Sequence, residues 1–291
     1  MEKLKQRPRS SNILITGVST GIGHDSARAF LAGGYKVFGT VRTAADASRL
    51  VSALGPRFEP LVVDVTDAAA VAREVGALTE RLGDGCLGGL INNAGIALPG
   101  PLSEQSFEQI RRMFDVNLFG ALAVTRACLP LLGMRTGHRS APGTIVNISS
   151  GAGKISIPFL GAYVASKHAL EGMSNSLRRE LMPWDIKVVV VGPGNVKTPI
   201  WEKTGGEESY DHTAYGPVFR NFVRFMFAGA KTGMTADEIA GLLVRIMESD
   251  APKVRYAPVA QRFTNWTLPR LLPDRQMDRM LFKALGMKRL G

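Results

Sequence analysis

The chain has 291 residues, 45% of them apolar, enough to fill a globular core in one large domain or two small ones. Its net charge of +11 sits at the ends: residues 1–9 (Lys3, Lys5, Arg7 and Arg9 against Glu2) give +3 and residues 253–291 give +7. The body is therefore nearly neutral, which excludes a nucleic-acid binder by charge, and two cysteines, Cys86 and Cys128, exclude both a disulfide framework and a cysteine metal site.

A reducing, cytoplasmic compartment is the simplest expectation. The apolar run 13–15 is too short for a signal-peptide core. No segment is expected to reach the roughly 20 apolar residues of a membrane span. The basic ends read either as solvated surface or as a face for an anionic membrane or an acidic partner.

Residues 12–16 form a short apolar strand, followed by Gly17-Val-Ser19-Thr20-Gly21-Ile22-Gly23 and a helical stretch from about 24 to 32. Strand, glycine turn and helix together let backbone N–H groups and a helix N-terminus receive a phosphate. A tight turn of small residues is the simpler alternative, and the spacing differs from the commoner Gly-x-Gly-x-x-Gly. His24, just after the turn, has no assigned role.

A second strand spans 36–41. About 20 residues past the glycine turn, an acid would bind a ribose hydroxyl and an arginine would accept a 2′-phosphate. Arg42 stands there, with no acid before Asp46, so NADP is favoured over NAD. A third strand over 59–63 ends in Asp64-Val65, where the carboxylate either meets an adenine amino group or caps the next helix, over 68–82. A fourth strand over 87–91 ends in Asn92-Asn93-Ala94-Gly95, small and amide-bearing residues that suit a cofactor floor.

Residues 103–132 read as one long helix capped by Ser103. Asn117 lies within it among apolar residues, as a satisfied core amide or as part of a site. Residues 133–142 are a polar surface loop in which His138 is solvated. The β-branched run 144–148 is a buried strand closed by Ser149 and Ser150. Tyr163 and Lys167 then stand at i and i+4, so a helix there projects both from one face. A hydroxyl, a phenol and an ammonium beside a sheet edge suit proton transfer to or from an alcohol or ketone oxygen. The helix continues to 182. A sixth strand, 186–191, ends in a second small-residue turn, Gly192-Pro193-Gly194-Asn195-Val196-Lys197-Thr198-Pro199.

These alternations imply an α/β fold: a doubly wound, Rossmann-type parallel sheet, with every motif at the C-terminal ends of its strands. Residues 199–233 carry Trp201, Tyr210, Tyr215, Phe219, Phe222, Phe225 and Phe227, and read as a lid over an apolar substrate or as ordinary helix packing. A helix with Thr235 as its N-cap covers 235–248, and 254–256 is a last strand. The extension 258–291 is basic and amphipathic. It packs on its own domain, joins a second copy or contacts a membrane peripherally, in that order of preference. With no repeat and no composition shift, 1–291 is expected to be one domain, its cofactor and catalytic core at 10–200.

Taken together, Thr16-Gly17-x-x-x-Gly21-Ile22-Gly23, Asp64-Val65, Asn92 to Gly95, Asn117, Ser150, Tyr163-x-x-x-Lys167 and Pro193-Gly194 through Thr198 resemble the short-chain dehydrogenase/reductase family. Tyr35 to Arg42 and Gly194 to Trp201 are similar to its hydroxysteroid and retinol dehydrogenase branch. The resemblance implies an NADP-dependent oxidoreductase without a metal. Its substrate would be a small apolar alcohol or carbonyl compound, bulky and steroid- or retinoid-like. Such proteins are usually homodimers or homotetramers.

By the same resemblance Tyr163 is the general acid/base, Lys167 and the positively charged nicotinamide lower the phenol, and Lys167 holds the nicotinamide ribose. Ser150 orients the substrate oxygen, since it fits the family's thirteen-residue separation from the tyrosine and Ser149 does not. Asn117 holds a water linking Lys167 to solvent. The cofactor-binding set comprises Gly17, Ser19, Thr20, Gly21, Ile22, Gly23, Arg42, Asp64, Val65, Asn92, Ala94, Gly95, Tyr163, Lys167, Pro193, Gly194, Val196 and Thr198. The alternatives are a non-catalytic nucleotide-binding regulator on the same fold, against which the retained Tyr163 and Lys167 speak, and a lyase or epimerase.

Overall fold

The computed structural model describes residues 9–137, 140–198 and 209–288. The readings placed on Lys3, Lys5, Arg7, His138, Pro199 and Trp201 lie outside the described residues. The elements run β1 (Asn12–Ile15), α1 (Gly21–Ala32), β2 (Lys36–Val41), α2 (Ala44–Leu54), β3 (Phe58–Val62), α3 (Ala68–Leu82), β4 (Gly89–Asn92), α4 (Phe107–Phe114), α5 (Ala121–Leu132), β5 (Thr144–Ile148), α6 (Gly161–Glu180), β6 (Lys187–Val191), β7 (Val196–Lys197), α7 (Gly216–Thr232), β8 (Met234–Thr235), α8 (Ala236–Glu248), β9 (Arg255–Tyr256), α9 (Leu268–Leu271) and α10 (Asp274–Ala284).

Seven of the strands form one sheet in the order β3-β2-β1-β4-β5-β6-β9, and all six pairings are parallel. Each strand alternates its side chains between two apolar layers. Ile13, Ile15, Ile91, Val146, Ile148, Val189 and Val191 face one layer, with α1 and α8. Leu14, Leu90, Ile145 and Val188 face the other, with α3 and α5. Burial on both faces explains why these strands read as unbroken apolar runs. The order reverses between β1 and β4, and this switch point opens a crevice at the strands' C-terminal ends.

A third apolar cluster lies beyond that edge. Met113, Phe159, Leu160, Tyr163, Tyr210, Phe219, Phe222, Val223, Met226 and Leu285 build it. Phe219 packs edge-on to Tyr210 at 4.8 Å and to Phe159 at 5.8 Å between ring centroids. The aromatic residues of α7 thus seat it on the N-terminal end of α6.

Three expectations need correction. Ser103 does not cap the long helix. Pro101 starts a turn whose carbonyl accepts from Glu104 and Gln105, and Ser106 caps α4 through a reciprocal pair with Gln109. The helix is not uniform either, since Asp115–Gly120 is a π-turn between α4 and α5. Phe107–Leu132 is 26 residues long and apolar enough, by length and composition, to cross a membrane, against the expectation that no segment would be. Its Met113, Val124, Cys128, Leu131 and Leu132 are buried in the protein's own core. Helix α2 was not anticipated; Thr43 caps it by accepting from the Asp46 N–H. Cys86 and Cys128 are both free and buried.

Phe219 is 2% exposed and central to the third cluster. Replacing it with alanine is expected to cost about 3–5 kcal/mol of stability, measured by denaturant unfolding. A loss under about 1 kcal/mol would show that α7 is not held by this packing.

Candidate active site

A cleft of about 640 Å³ runs along the C-terminal edge of the sheet. At one end the β1–α1 turn supplies Gly17, Ser19, Thr20, Gly21 and Ile22. Gly17 has φ 71°, a left-handed conformation that glycine adopts without strain. Gly23 does not line the cleft. A Cβ built on it would lie 2.2 Å from the Gly17 oxygen and 2.5 Å from Asn93 Nδ2, so Gly23 is there for close packing. Thr20 is the N-cap of α1 but makes no side-chain cap bond, which leaves the first-turn N–H groups directed at the cleft.

Asn93 holds this turn. Its Nδ2 donates to the Thr16 and Gly17 oxygens at 2.9 and 3.1 Å, while Thr16 Oγ1 accepts from the Asn93 and Ala94 N–H groups at 2.9 Å. Asn92, placed among the cofactor-binding residues by sequence, is turned away. It is 4% exposed, and its Nδ2 donates to Thr125 Oγ1 and Asn147 Oδ1 behind the sheet. The physical reason is strand alternation: Asn92 is the last residue of β4 and faces the packed layer, whereas Asn93, just past it, faces the turn.

Arg42, exposed at the end of β2, lines the same cleft with Asp64 and Val65. Asp46, the nearest acid, is already engaged by Arg49 at 2.8 Å and by Thr43. The Arg49 guanidinium beside it holds its carboxyl below the usual range, and Thr43 and Arg42 act in the same direction. Asp64 accepts from the Thr66 N–H and hydroxyl, and Asp67, not Asp64, caps α3.

At the other end Ser150, Tyr163 and Lys167 come together. Lys167 Nζ donates to the Ile148 oxygen at 2.9 Å and sits 5.8 Å from the Tyr163 ring centroid. Burial pushes the Lys167 ammonium down to about 8, with Glu171 opposing. Burial also pushes the Tyr163 phenol up, while its hydrogen bond with Ser150 pulls it down. Among the protein's own groups, desolvation is the larger effect on both residues. Ser150 Oγ also accepts from the Ala152 N–H, which fixes its rotamer. Ser149 is 4% exposed, and its hydroxyl lies against Gly153 instead.

Asn117 sits on the π-turn, 2% exposed. It donates to the Ile96 oxygen and Ser166 Oγ and accepts from the Ile96 N–H, all at 2.9–3.0 Å. A Cβ built on Gly95 would lie 3.2 Å from Asn117 Oδ1 and 3.6 Å from Lys167 Nζ, so the amide oxygen and the ammonium flank one spot. Both local readings of Asn117 hold in part: it is a satisfied core amide and it adjoins the site. Pro193, Gly194, Val196 and Thr198 line the cleft from the β6 turn, with Thr198 packed over Gly21.

The outer wall draws on two segments that the sequence singled out, the aromatic 199–233 and the amphipathic extension. Phe225 and Met226 of α7, and Val259, Pro269, Met277, Met280 and Leu281 of the C-terminal extension, line the cleft beside Ile155, Ile157 and Leu160. Met277, Met280 and Leu281 stand at i, i+3 and i+4 of α10. The described residues hold no cluster of metal-binding side chains.

The residues present fit a nicotinamide dinucleotide. The N-terminus of α1, which has no side-chain cap, and the Arg42 guanidinium line one part of the cleft, and the hydroxyl, phenol and ammonium line the other.

Between about pH 8 and 10.5 the unfolded chain holds a proton on Lys167 that the folded one has released. Stability from this residue therefore grows as pH rises through that window, by on the order of 3 kcal/mol. Lys167→Met should flatten the pH dependence of unfolding free energy there. An unchanged slope would mean that Lys167 titrates normally.

Comparison with known proteins agrees with this geometry. The short chain dehydrogenase family model matches residues 11–209. The NADPH-dependent 3-dehydrocapnine reductase of Ornithobacterium rhinotracheale is 36% identical over 94% of this chain and 96% of its own. Human retinol dehydrogenase 16 is 38% identical over 67% of this chain and 60% of its own. A short-chain dehydrogenase structure from Streptomyces avermitilis superposes with a TM-score of 0.75 at 28% identity, covering 94% of this chain and 96% of that one. The chain belongs to the short-chain dehydrogenase family and is an oxidoreductase acting on CH–OH groups.

Proposed function

We propose that this protein interconverts a bulky, apolar alcohol and its ketone or aldehyde, with NADP as the redox partner. The observation that carries this reading is the shared cleft. Ser150, Tyr163 and Lys167 stand at its inner end, Arg42 stands at its far end, and apolar side chains from α7 and α10 wall its mouth.

Arg42, the first turn of α1 and the small-residue turns after β4 and β6 would hold NADP. When bound, the cofactor supplies or accepts the hydride. The chain's own work is with the proton. In the reductive direction Tyr163 gives its phenolic proton to the carbonyl oxygen while the Ser150 hydroxyl donates to the same oxygen. In the oxidative direction the two hold the alcohol, and the phenolate takes the proton back. The Lys167 ammonium, anchored on the Ile148 oxygen, favours the phenolate once it forms. Asn117 pins the backbone at Ile96, and its amide oxygen and the Lys167 ammonium both lie close to Gly95.

The apolar wall supports a bulky substrate. Methionine side chains are flexible and polarizable, so Met226, Met277 and Met280 adapt to an irregular hydrocarbon. The relative named NADPH-dependent supports the cofactor choice, and so does the engagement of Asp46 by Arg49.

Tyr163→Phe should lower turnover of a steroid, retinoid or aryl ketone by about 10²–10⁴-fold and still bind NADPH. Full activity in that variant would overturn the assignment of the proton donor. Arg42→Ala should weaken NADPH by about 10–100-fold, the effect of one charged hydrogen bond, and barely move NADH. Titration of both cofactors by fluorescence decides it, since equal losses would refute the arginine argument.

A further inference from the structure

One buried charged group near the site takes no part in the chemistry above. Glu171 lies on α6, one helical turn beyond Lys167, and is 3% exposed. A carboxylate this deep is costly unless it is paired. It is paired on its far side. Arg255 of β9 donates to Oε1, and Lys154, from the loop after Ser150, lies 3.5 Å from Oε2. Arg255 is itself fixed, with its guanidinium over the Trp266 ring at 5.2 Å and against Gly192. A Cβ built on Gly153 would meet Ser149 Oγ at 2.6 Å and Glu171 Oε1 at 3.1 Å, so the catalytic serine's loop rests directly on this carboxylate.

Tyr163, Lys167 and Glu171 therefore stand at i, i+4 and i+8 of one helix face, and two cations from other elements close the far end of the row. We propose that Glu171 is a positioning residue for the proton-transfer site: its buried carboxylate, gripped by Arg255 and Lys154, acts on the Lys167 ammonium and through it on Tyr163. The inference rests on the reading of Tyr163 and Lys167 given above and deepens it. Strand β9 and Trp266 are thereby tied electrically to the reaction, although neither touches the reacting atoms.

The charges facing Lys167 are few, so the signs can be worked out. Glu171 is the anion that favours its charged form. Arg255 and Lys154 partly cancel that carboxylate and repel the ammonium. Removing Glu171 should make Lys167 lose its proton at lower pH. Removing either cation should make it hold its proton to higher pH. A role in packing alone would lower stability in all three variants without opposite shifts.

The test is the titration of Lys167 followed by NMR in protein carrying ¹³C at lysine Cε, with the resonance assigned through Lys167→Arg. Glu171→Gln should move the midpoint down by about one unit, and Arg255→Gln should move it up. Lys154→Gln, at a half-exposed side chain and therefore the safest to fold, should move it up by a smaller amount. The alkaline limb of the pH–rate profile for NADPH-dependent ketone reduction should shift the same way. If Glu171→Gln fails to fold, the two cation variants still decide, because shifts that are absent or share the downward sign overturn the proposal. Expected NMR shifts without turnover on any carbonyl would refute the functional reading while leaving the electrostatic link intact.

Discussion

The structure depends on keeping one ammonium out of water. Lys167 is 4% exposed, and its direct hydrogen bond is to a strand-end carbonyl, Ile148. Such a charge is tolerated only where the surroundings are fixed. Strand β5 must end where its carbonyl faces α6, and α6 must pack tightly enough to exclude solvent. A carboxylate must stand one turn further along. The same burial acts on Tyr163 with the opposite chemical sense, since desolvation favours the neutral form of each. The protein alone therefore keeps the proton on the phenol, ready for delivery, and lowers the cost of taking it from the lysine.

Much of the fold was legible because the strands are buried on both faces. Apolar β-branched runs such as 144–148 and 187–191 carry that signal without help from tertiary context. What escaped was set by competition between neighbouring residues. Ser103 and Ser106 are both plausible caps, but only Ser106 has a glutamine three residues on to complete the reciprocal pair. Helix α2 begins at Ala44, two residues past Arg42, and its short stretch buries only Ala47 and Leu50, too few apolar positions to mark a helix. The π-turn at Asp115–Gly120 leaves no compositional trace, because the extra residue per turn is selected by what Asn117 must reach.

The candidate site was legible where its residues are local in sequence. The Tyr163–Lys167 pair is one helical turn apart, so helical spacing put both on one face, while the glycine turn was marked by its place between a strand and a helix. Asn92 and Asn93 show the limit. Two adjacent asparagines at a strand end differ by one step of alternation, and that step separates a residue locked behind the sheet from one that braces the phosphate turn. Sequence favours neither until the strand's last residue is known. Glu171 and Arg255 are 84 positions apart, and nothing local announces their meeting.

The division of the cleft follows from these constraints. Its inner half is built on strand ends and α6, rigid elements whose displacement would expose the buried ammonium. Its outer half leans on α10, a helix with no buried residue of its own. Helix α10 is moored at its C-terminal end, where Leu285 enters the third cluster and its carbonyl accepts from Asn221 of α7 at 3.1 Å. A wall held at one end by a few contacts belongs to the low-stability part of a fold, the part from which moving elements are drawn. On the function proposed above, chemistry sits where the fold cannot yield and substrate shape is read where it can, so substitutions at Met277, Met280 and Leu281 would change which hydrocarbon is accepted and leave the buried charges in place.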